Sequence, residues 1–327
     1  MESCAVIGYG SWATTLVRQI TRGGRQVKWL VTNPEVREGI LSDSRNPKYV
    51  RDAVLDTSLI TLCEDINETV RGCRYVLLGC PSAFLKTVLE PLVEPLDGKL
   101  IISAIKGIVP DEYTTVLEHI HNRYGIPFSE LGLVSGPTHA EEVSSDRVSY
   151  ITAAAASEAK AAEIKALIES DTLHVNTSVD IYGIEYAGVL KNIYAIVCGI
   201  ASGLGYGDNF TAVLVSAAAA EMKSFLNLSY PFDRKTTSRA YIGDLLVTCY
   251  SNYSRNRRLG LLIGRGCTVK SALNEMTMVA EGYYSTRLIQ EIKAAKGIEM
   301  PLADLAYNIL YKGASPRREM KALSDVL

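Results

Sequence analysis

Little in this chain pulls it toward another macromolecule or across a membrane. Its 34 lysines and arginines are balanced by 36 aspartates and glutamates, a formal charge of −2, so no global field attracts nucleic acid or an anionic bilayer. No uninterrupted apolar run is long enough for a bilayer; the best candidate, 185–205, is broken by Lys191, Asn192 and several glycines. The opening MESCAVIG lacks a basic n-region followed by an h-region and a cleavage site, so a cytoplasmic location is expected. The seven cysteines are scattered, odd in number and never in CxxC spacing, which reads as reduced thiols used as small core residues. Only four histidines occur, and His119 and His121 would face different ways on a helix, so no metal site is expected. Pro/Gly/Ser-rich linkers, repeats and low-complexity tracts are also lacking.

What is present suits a globular protein of one large or two medium domains: 327 residues, 47% hydrophobic and 21% charged. The first half alternates strand and helix. CAVIG (4–8) is a short apolar strand, GYGSWA follows, TTLVRQITRGG has helical spacing, and QVKWLV is a second strand. A G-x-G-x-x-A turn between strand and helix is a dinucleotide-binding signature. Gly8 permits the tight turn, Gly10 lets the backbone approach a pyrophosphate, and Ala13 allows close packing. Further strands are expected at 75–81, 99–105, 131–137, 149–156 and 173–178, with helices at 83–93, 111–124 and 157–170. This predicts an α/β fold whose N-terminal Rossmann domain, residues 1–178, holds a doubly wound, mostly parallel sheet. Lys106 ends a buried-looking strand, which suits a ligand contact. Thr138 and Glu141 have capping-box spacing and predict a helix start. After the second strand, where NAD-specific proteins carry an acid, stand Thr32 and Asn33. Missing acid permits a 2′-phosphate, with Arg37 or Lys28 as the source of positive charge.

Beyond residue 179 strand signals stop, predicting an all-α C-terminal domain over 179–327, with helices at 181–202, 209–227, 241–250, 255–264, 269–273, 279–295 and 301–311. The alanine-rich 211–222 helix suits burial either in its own domain or against a second subunit, so a homodimer is one expected assembly. Lys191 is the only formal charge between Tyr186 and Gly205, and Asp244 is the only acid in the apolar stretch 241–249. A buried charge needs a partner, so the two are expected to pair. That leaves an oriented ammonium able to hand over a proton, its pKa lowered by burial or by Lys106 or Arg255. In CYSNYSRNRRLGLLIGRG (249–266), Ser254 reads as an N-cap that places Arg255, Arg257 and Arg258 in the first helical turn. Cations there oppose the helix dipole unless an anion is bound, which points to a phosphate. A 3-hydroxyacid or 6-phosphogluconate-type dehydrogenase and a redox sensor without turnover are the rival readings.

In order, GYGSWA, AIKG, SGPTHAEEV, GVLKNIYAI, GDLLVTC, SRNRRLG and VAEG (279–282) run through nearly the whole chain. The set resembles NAD(P)-dependent glycerol-3-phosphate dehydrogenase of the bacterial type. The resemblance implies NAD(H)- or NADP(H)-dependent reduction of dihydroxyacetone phosphate to sn-glycerol 3-phosphate for phospholipid synthesis. It makes Lys191 the general acid/base, with Asp244 and Lys106 completing the catalytic set. Substrate contacts fall to Lys106, Gly136, Thr138, Lys191, Asn192 and Asp244, with Ser254, Arg255 and Asn256 at the phosphate end. Cofactor contacts fall to Gly8, Gly10, Ser11, Trp12, Lys106, Ala140, Arg255, Val279 and Glu281. The chain departs from the family pattern at Ala13 and Thr32, where glycine and arginine are commoner, and at Tyr241 and Tyr283, whose bulk would reshape the pocket.

Overall fold

In a computed structural model of the chain, residues 3–110, 112–276 and 278–327 are described. Ten strands occur among them: β1 (Cys4–Ile7), β2 (Val27–Leu30), β3 (Ile60–Cys63), β4 (Tyr75–Leu78), β5 (Leu100–Ser103), β6 (Ile108–Val109), β7 (Thr114–Thr115), β8 (Leu131–Ser135), β9 (Ser149–Ala155) and β10 (Leu173–Ser178). The chain divides into two compact units. One runs to Ile105 and adds Val116–Ile181; the other joins Lys106–Thr115 to Tyr182–Leu327.

The first unit is an eight-stranded sheet in the order β10-β9-β8-β5-β4-β1-β2-β3. Every neighbouring pair is parallel except β8 with β9. From β3 to β8 this is the doubly wound order, with its switch point between β1 and β4, where ligands of such sheets bind. All four residues of β1, of β4 and of β5 are buried, as expected of central strands covered on both faces. Leu16, Val17 and Ile20 of the Ser11–Arg22 helix are buried against Val6, Trp29 and Leu77. Each such side chain stabilises the fold by roughly 1.5–3 kcal/mol on burial. The β3 strand and the Pro34–Asp43 helix lie outside the elements predicted from sequence. β3 is an edge strand with one buried residue of four, so it lacks the apolar run that marks its neighbours.

Among the described residues, the second unit is helical apart from one hairpin. Its main helices are Ile181–Gly203, Asp208–Ser229, Asp244–Tyr250, Arg255–Gly264, Glu281–Lys296, Pro301–Lys312 and Pro316–Ser324. A π-helical turn, Arg239–Gly243, leads into Asp244, so the helix expected over 241–250 starts in a wider winding. The sequence places 106–115 in the first domain, whereas they group with the second unit, and expects a helix from 111, a residue outside those described. Instead, β6 and β7 form an antiparallel hairpin that packs with the Glu281–Lys296 helix, and the next helix starts at Val116. The Ile181–Gly203 helix is long and apolar enough to cross a membrane, and its most hydrophobic window is wholly buried in the protein. Such all-round apolarity is what a helix at the centre of a core requires.

Two glycine pairs determine how closely the second unit's core packs. Gly199 and Gly203 of the central helix meet Gly260 and Gly264 of the Arg255–Gly264 helix backbone to backbone. A Cβ at Gly199 would collide with the Arg257 carbonyl, and one at Gly260 with that of Ile196. Small residues four apart on both helices allow this approach, which fixes the central helix against the start of its neighbour.

Candidate active site

The first unit builds an anion cradle from backbone. Gly8 follows β1 with φ +109°. A side chain is excluded there both by that torsion and by space, since a Cβ would lie 2.6 Å from the Cys80 nitrogen. Trp29 Nε1 donates to the Gly8 carbonyl at 2.7 Å and Asn46 Nδ2 to that of Tyr9 at 3.0 Å, holding the turn from two sides. Gly10 caps the Ser11–Arg22 helix without a side-chain acceptor, and the first turn carries no acid. Space is open where a Gly10 Cβ would project. Ser11 is buried, and Trp12 Nε1 is buried with no protein partner. Orphaned donors at the positive end of a helix fit a dinucleotide pyrophosphate. The Ala13 methyl is tolerated because the facing residue is Gly79, whose own Cβ would stand 3.0 Å from it.

Thr15 Oγ1 donates to the Ala140 carbonyl at 3.3 Å, tying the cradle helix to the short Ala140–Ser144 helix. Gly136 has φ +138°, and a Cβ there would come within 3.1 Å of Ile151 Cα. The capping box expected from Thr138 and Glu141 does not form. His139 is the N-cap, and the Thr138 hydroxyl donates to the Gly136 carbonyl at 3.2 Å within its own turn.

Beyond β2, Thr32 is exposed, and the Asn33 side chain accepts from Val36 N as a helix cap. Lys28 does not supply charge there. Its ammonium donates to the carbonyls of Arg71 at 2.8 Å and Glu68 at 3.3 Å, binding the end of the Ile66–Val70 helix. Arg37 Nε pairs with Glu64 Oε1 at 2.8 Å.

The second unit gathers side chains instead. Lys191 Nζ donates to Asp244 Oδ1 at 2.5 Å and to Thr248 Oγ1 at 2.9 Å; the Thr248 hydroxyl in turn donates to the Asp244 carbonyl at 2.6 Å. Lys106 Nζ reaches Asp244 Oδ2 at 3.2 Å. Lys191 is 5% exposed and Asp244 1%, so two ammonium groups share one buried carboxylate. Burial lowers the Lys191 pKa to about 7, with Asp244 pulling it up and Lys106 pushing it down. Burial alone would raise the Asp244 pKa, but the two lysines outweigh it and hold it low. A buried lysine close to half protonated near neutrality, held in one orientation, is suited to general acid/base work.

Asn192 is braced on all sides. Its Nδ2 donates to the Lys106 carbonyl at 2.7 Å and the Gly188 carbonyl at 3.1 Å, and its Oδ1 accepts from Asn256 Nδ2 at 2.9 Å. Asn256 Oδ1 accepts from Gly282 N at 2.9 Å. Lys106, Asn192, Asn256 and the residue after Glu281 thus form one hydrogen-bonded chain. Ser254 caps the Arg255–Gly264 helix as expected, its Oγ accepting from Arg257 N. That helix has no acid in its first turn, and Arg255 is half-buried. A cation and free amides there suit a phosphate. Val279 lies half-buried just before the Glu281–Lys296 helix. Tyr283 stacks on Tyr311 with centroids 4.9 Å apart, and the Tyr311 hydroxyl donates to the Tyr283 carbonyl at 2.7 Å. Its bulk is therefore taken up by the Pro301–Lys312 helix. Tyr241 is buried in the π-helical turn.

Sequence reasoning missed Thr248 and the helix-crossing glycines. The spacings that mark them, Asp244 to Thr248 and glycine every fourth residue, are present in the chain.

A doubly wound sheet with a glycine-formed anion cradle, and a lysine held by a buried carboxylate, define the class of nicotinamide-dependent dehydrogenases. The chain belongs to the NAD-dependent glycerol-3-phosphate dehydrogenase family, whose N-terminal part matches residues 3–161 and whose C-terminal part matches 180–321. It is 34% identical over 312 residues to a glycerol-3-phosphate dehydrogenase (NAD(P)+) of Chlorobium limicola, covering 94% of this chain and 93% of that one. A Citrifermentans bemidjiense enzyme of the same name is 35% identical over 326 residues, covering 98% and 96%. Among solved structures, glycerol-3-phosphate dehydrogenase of Coxiella burnetii superposes with a TM-score of 0.89 at 26% identity, over 98% of each chain.

Proposed function

We propose that this protein reduces dihydroxyacetone phosphate to sn-glycerol 3-phosphate with NADH or NADPH, reversibly, for glycerophospholipid synthesis. The membership of both its parts in the family supports the reaction, and the shared carboxylate between Lys191 and Lys106 supports the assignment of roles.

Reduced nicotinamide, when bound, supplies a hydride to the ketone carbon. The ketone oxygen then needs a proton, and Lys191 holds one at Nζ. Asp244 and Thr248 fix the direction of that ammonium, and burial, with the Lys106 charge beside it, keeps its pKa low enough for the proton to leave near neutral pH. The excess positive charge of two lysines over one aspartate favours the oxygen as it becomes negative. Arg255, with the amides after Ser254, grips the phosphate and contributes position. Asn192 and Asn256 brace these groups, and Gly136 and Thr138 border the substrate. The cradle of Gly8, Gly10, Ser11 and Trp12 holds the dinucleotide, and Ala140, Val279 and Glu281 make further contacts with it. A cytoplasmic enzyme without membrane insertion, assembled as a homodimer, completes the reading; sedimentation equilibrium reads the assembly.

The reaction is tested by absorbance at the reduced-nicotinamide band with purified protein and dihydroxyacetone phosphate, using NADH and NADPH separately. Substrate-dependent loss with glycerol 3-phosphate as product is the expected result. Cofactor binding without any turnover would reject it in favour of a sensor.

A further inference from the structure

The carboxyl end of β2 is where a dinucleotide-binding sheet reads the adenosine ribose, through an acid for a free 2′-hydroxyl or a cation for a 2′-phosphate. Here the usual position is taken by exposed Thr32, and Asn33 is committed to capping the next helix. Lys28 is committed to the Arg71 carbonyl, and Glu35 to Lys48 at 2.7 Å. Arg37 is the cation left beside this end: its Nη1 lies 3.5 Å from the Val31 carbonyl, directly after β2. Its Nε is held by Glu64, the first residue after the neighbouring strand β3. The two line an open groove of about 460 Å³ together with Pro34, Glu38, Leu41 and Ser42.

We propose that Glu64 sets the choice between NADH and NADPH by occupying Arg37, the residue that reads the 2′-phosphate. This rests on the proposed binding of NAD(P)H by the first unit. The burial of the pair is unequal. The Arg37 side chain is 22% exposed, whereas that of Glu64 is 71% exposed. The guanidinium is therefore seated while its carboxylate partner stands largely in water. An ion pair so exposed contributes little to stability, so a phosphate that offers Arg37 a bidentate partner can displace it. Glu64 and Glu38 on the same groove repel that phosphate, which is a selection against NADPH. An uncharged 2′-hydroxyl meets no such repulsion. The acid that favours NADH thus comes from β3 rather than β2 and acts through an arginine.

The test is equilibrium binding, read by reduced-nicotinamide fluorescence and by competition with adenosine 2′,5′-bisphosphate, on the intact chain. Glu64→Gln is expected to tighten NADPH and the bisphosphate about tenfold while NADH moves by no more than about twofold. Arg37→Ala is expected to weaken NADPH about tenfold and to cancel the gain in the double variant. Arg37→Lys, which keeps the charge without the fork, should fall between. Thermal melting monitors the fold of each variant. If Glu64→Gln weakens NADH instead, Glu64 holds the ribose itself and the proposal fails. It fails also if none of the variants moves the NADPH-to-NADH ratio. Absence of binding of either dinucleotide to the unaltered protein would overturn the dehydrogenase reading along with it.

Discussion

The two units solve the problem of holding an anion in different materials. In the first, the cradle is main chain: a left-handed Gly8, an unobstructed Gly10 and the unsatisfied amides of one helix, all within residues 8–13. In the second, the centre is side chain: Lys106, Lys191, Asp244, Thr248 and Asn256 come from four separate stretches of sequence. A main-chain site depends on shape and tolerates any residue that preserves it. A side-chain site depends on a few charges whose balance a single substitution upsets.

That contrast breaks most visibly at Lys191. Replacing it with alanine should lower kcat by about three orders of magnitude, since both a proton donor and a positioned charge are lost. Steady-state kinetics checks the loss, and fluorescence titration should find the Kd for NADH within about twofold of the original. Next comes the glycine crossing beneath the side-chain centre. Gly260→Ala drives a methyl into the Ile196 carbonyl and should cost about 1–3 kcal/mol, visible as a lower melting temperature of the whole chain. Arg255→Ala should raise KM for dihydroxyacetone phosphate about tenfold, the loss of one charge-assisted contact, with a smaller change in kcat. The smallest effect belongs to the main-chain site. Ala13→Gly keeps the turn and should leave cofactor affinity unchanged. It costs about 1 kcal/mol through helix propensity, read in a denaturant titration.

The same contrast decided what the sequence made legible. The cradle could be read because strand, glycines and helix are contiguous over residues 4–22. The Lys191–Asp244 pair could be read because each is a single charge in an apolar stretch, and burial forces such residues together. Ser254 could be read as a cap because its hydroxyl acts three residues away. The Asn192–Asn256–Gly282 chain could not, because asparagines carry no burial penalty strong enough to name a partner 64 residues distant. The 108–115 hairpin was hidden for a related reason: two-residue strands have no periodicity, and their packing partner lies at 281–296. Thr138 misled because capping-box spacing is only a local pattern, and a turn at Gly136 competes for the same hydroxyl.

Lys191 holds the proton, and burial together with the Lys106 charge sets when it leaves. The pH dependence of kcat in both directions, for the unaltered enzyme and for Lys106→Met, tests it most directly. Reduction requires protonated Lys191, so its rate should fall as pH rises through about 7; oxidation requires the free amine, so its rate should climb through the same pH. Removing the repelling Lys106 ammonium should move both limbs to higher pH, whatever it does to their height. A profile flat across this range, or limbs that stay in place in Lys106→Met, would contradict the account.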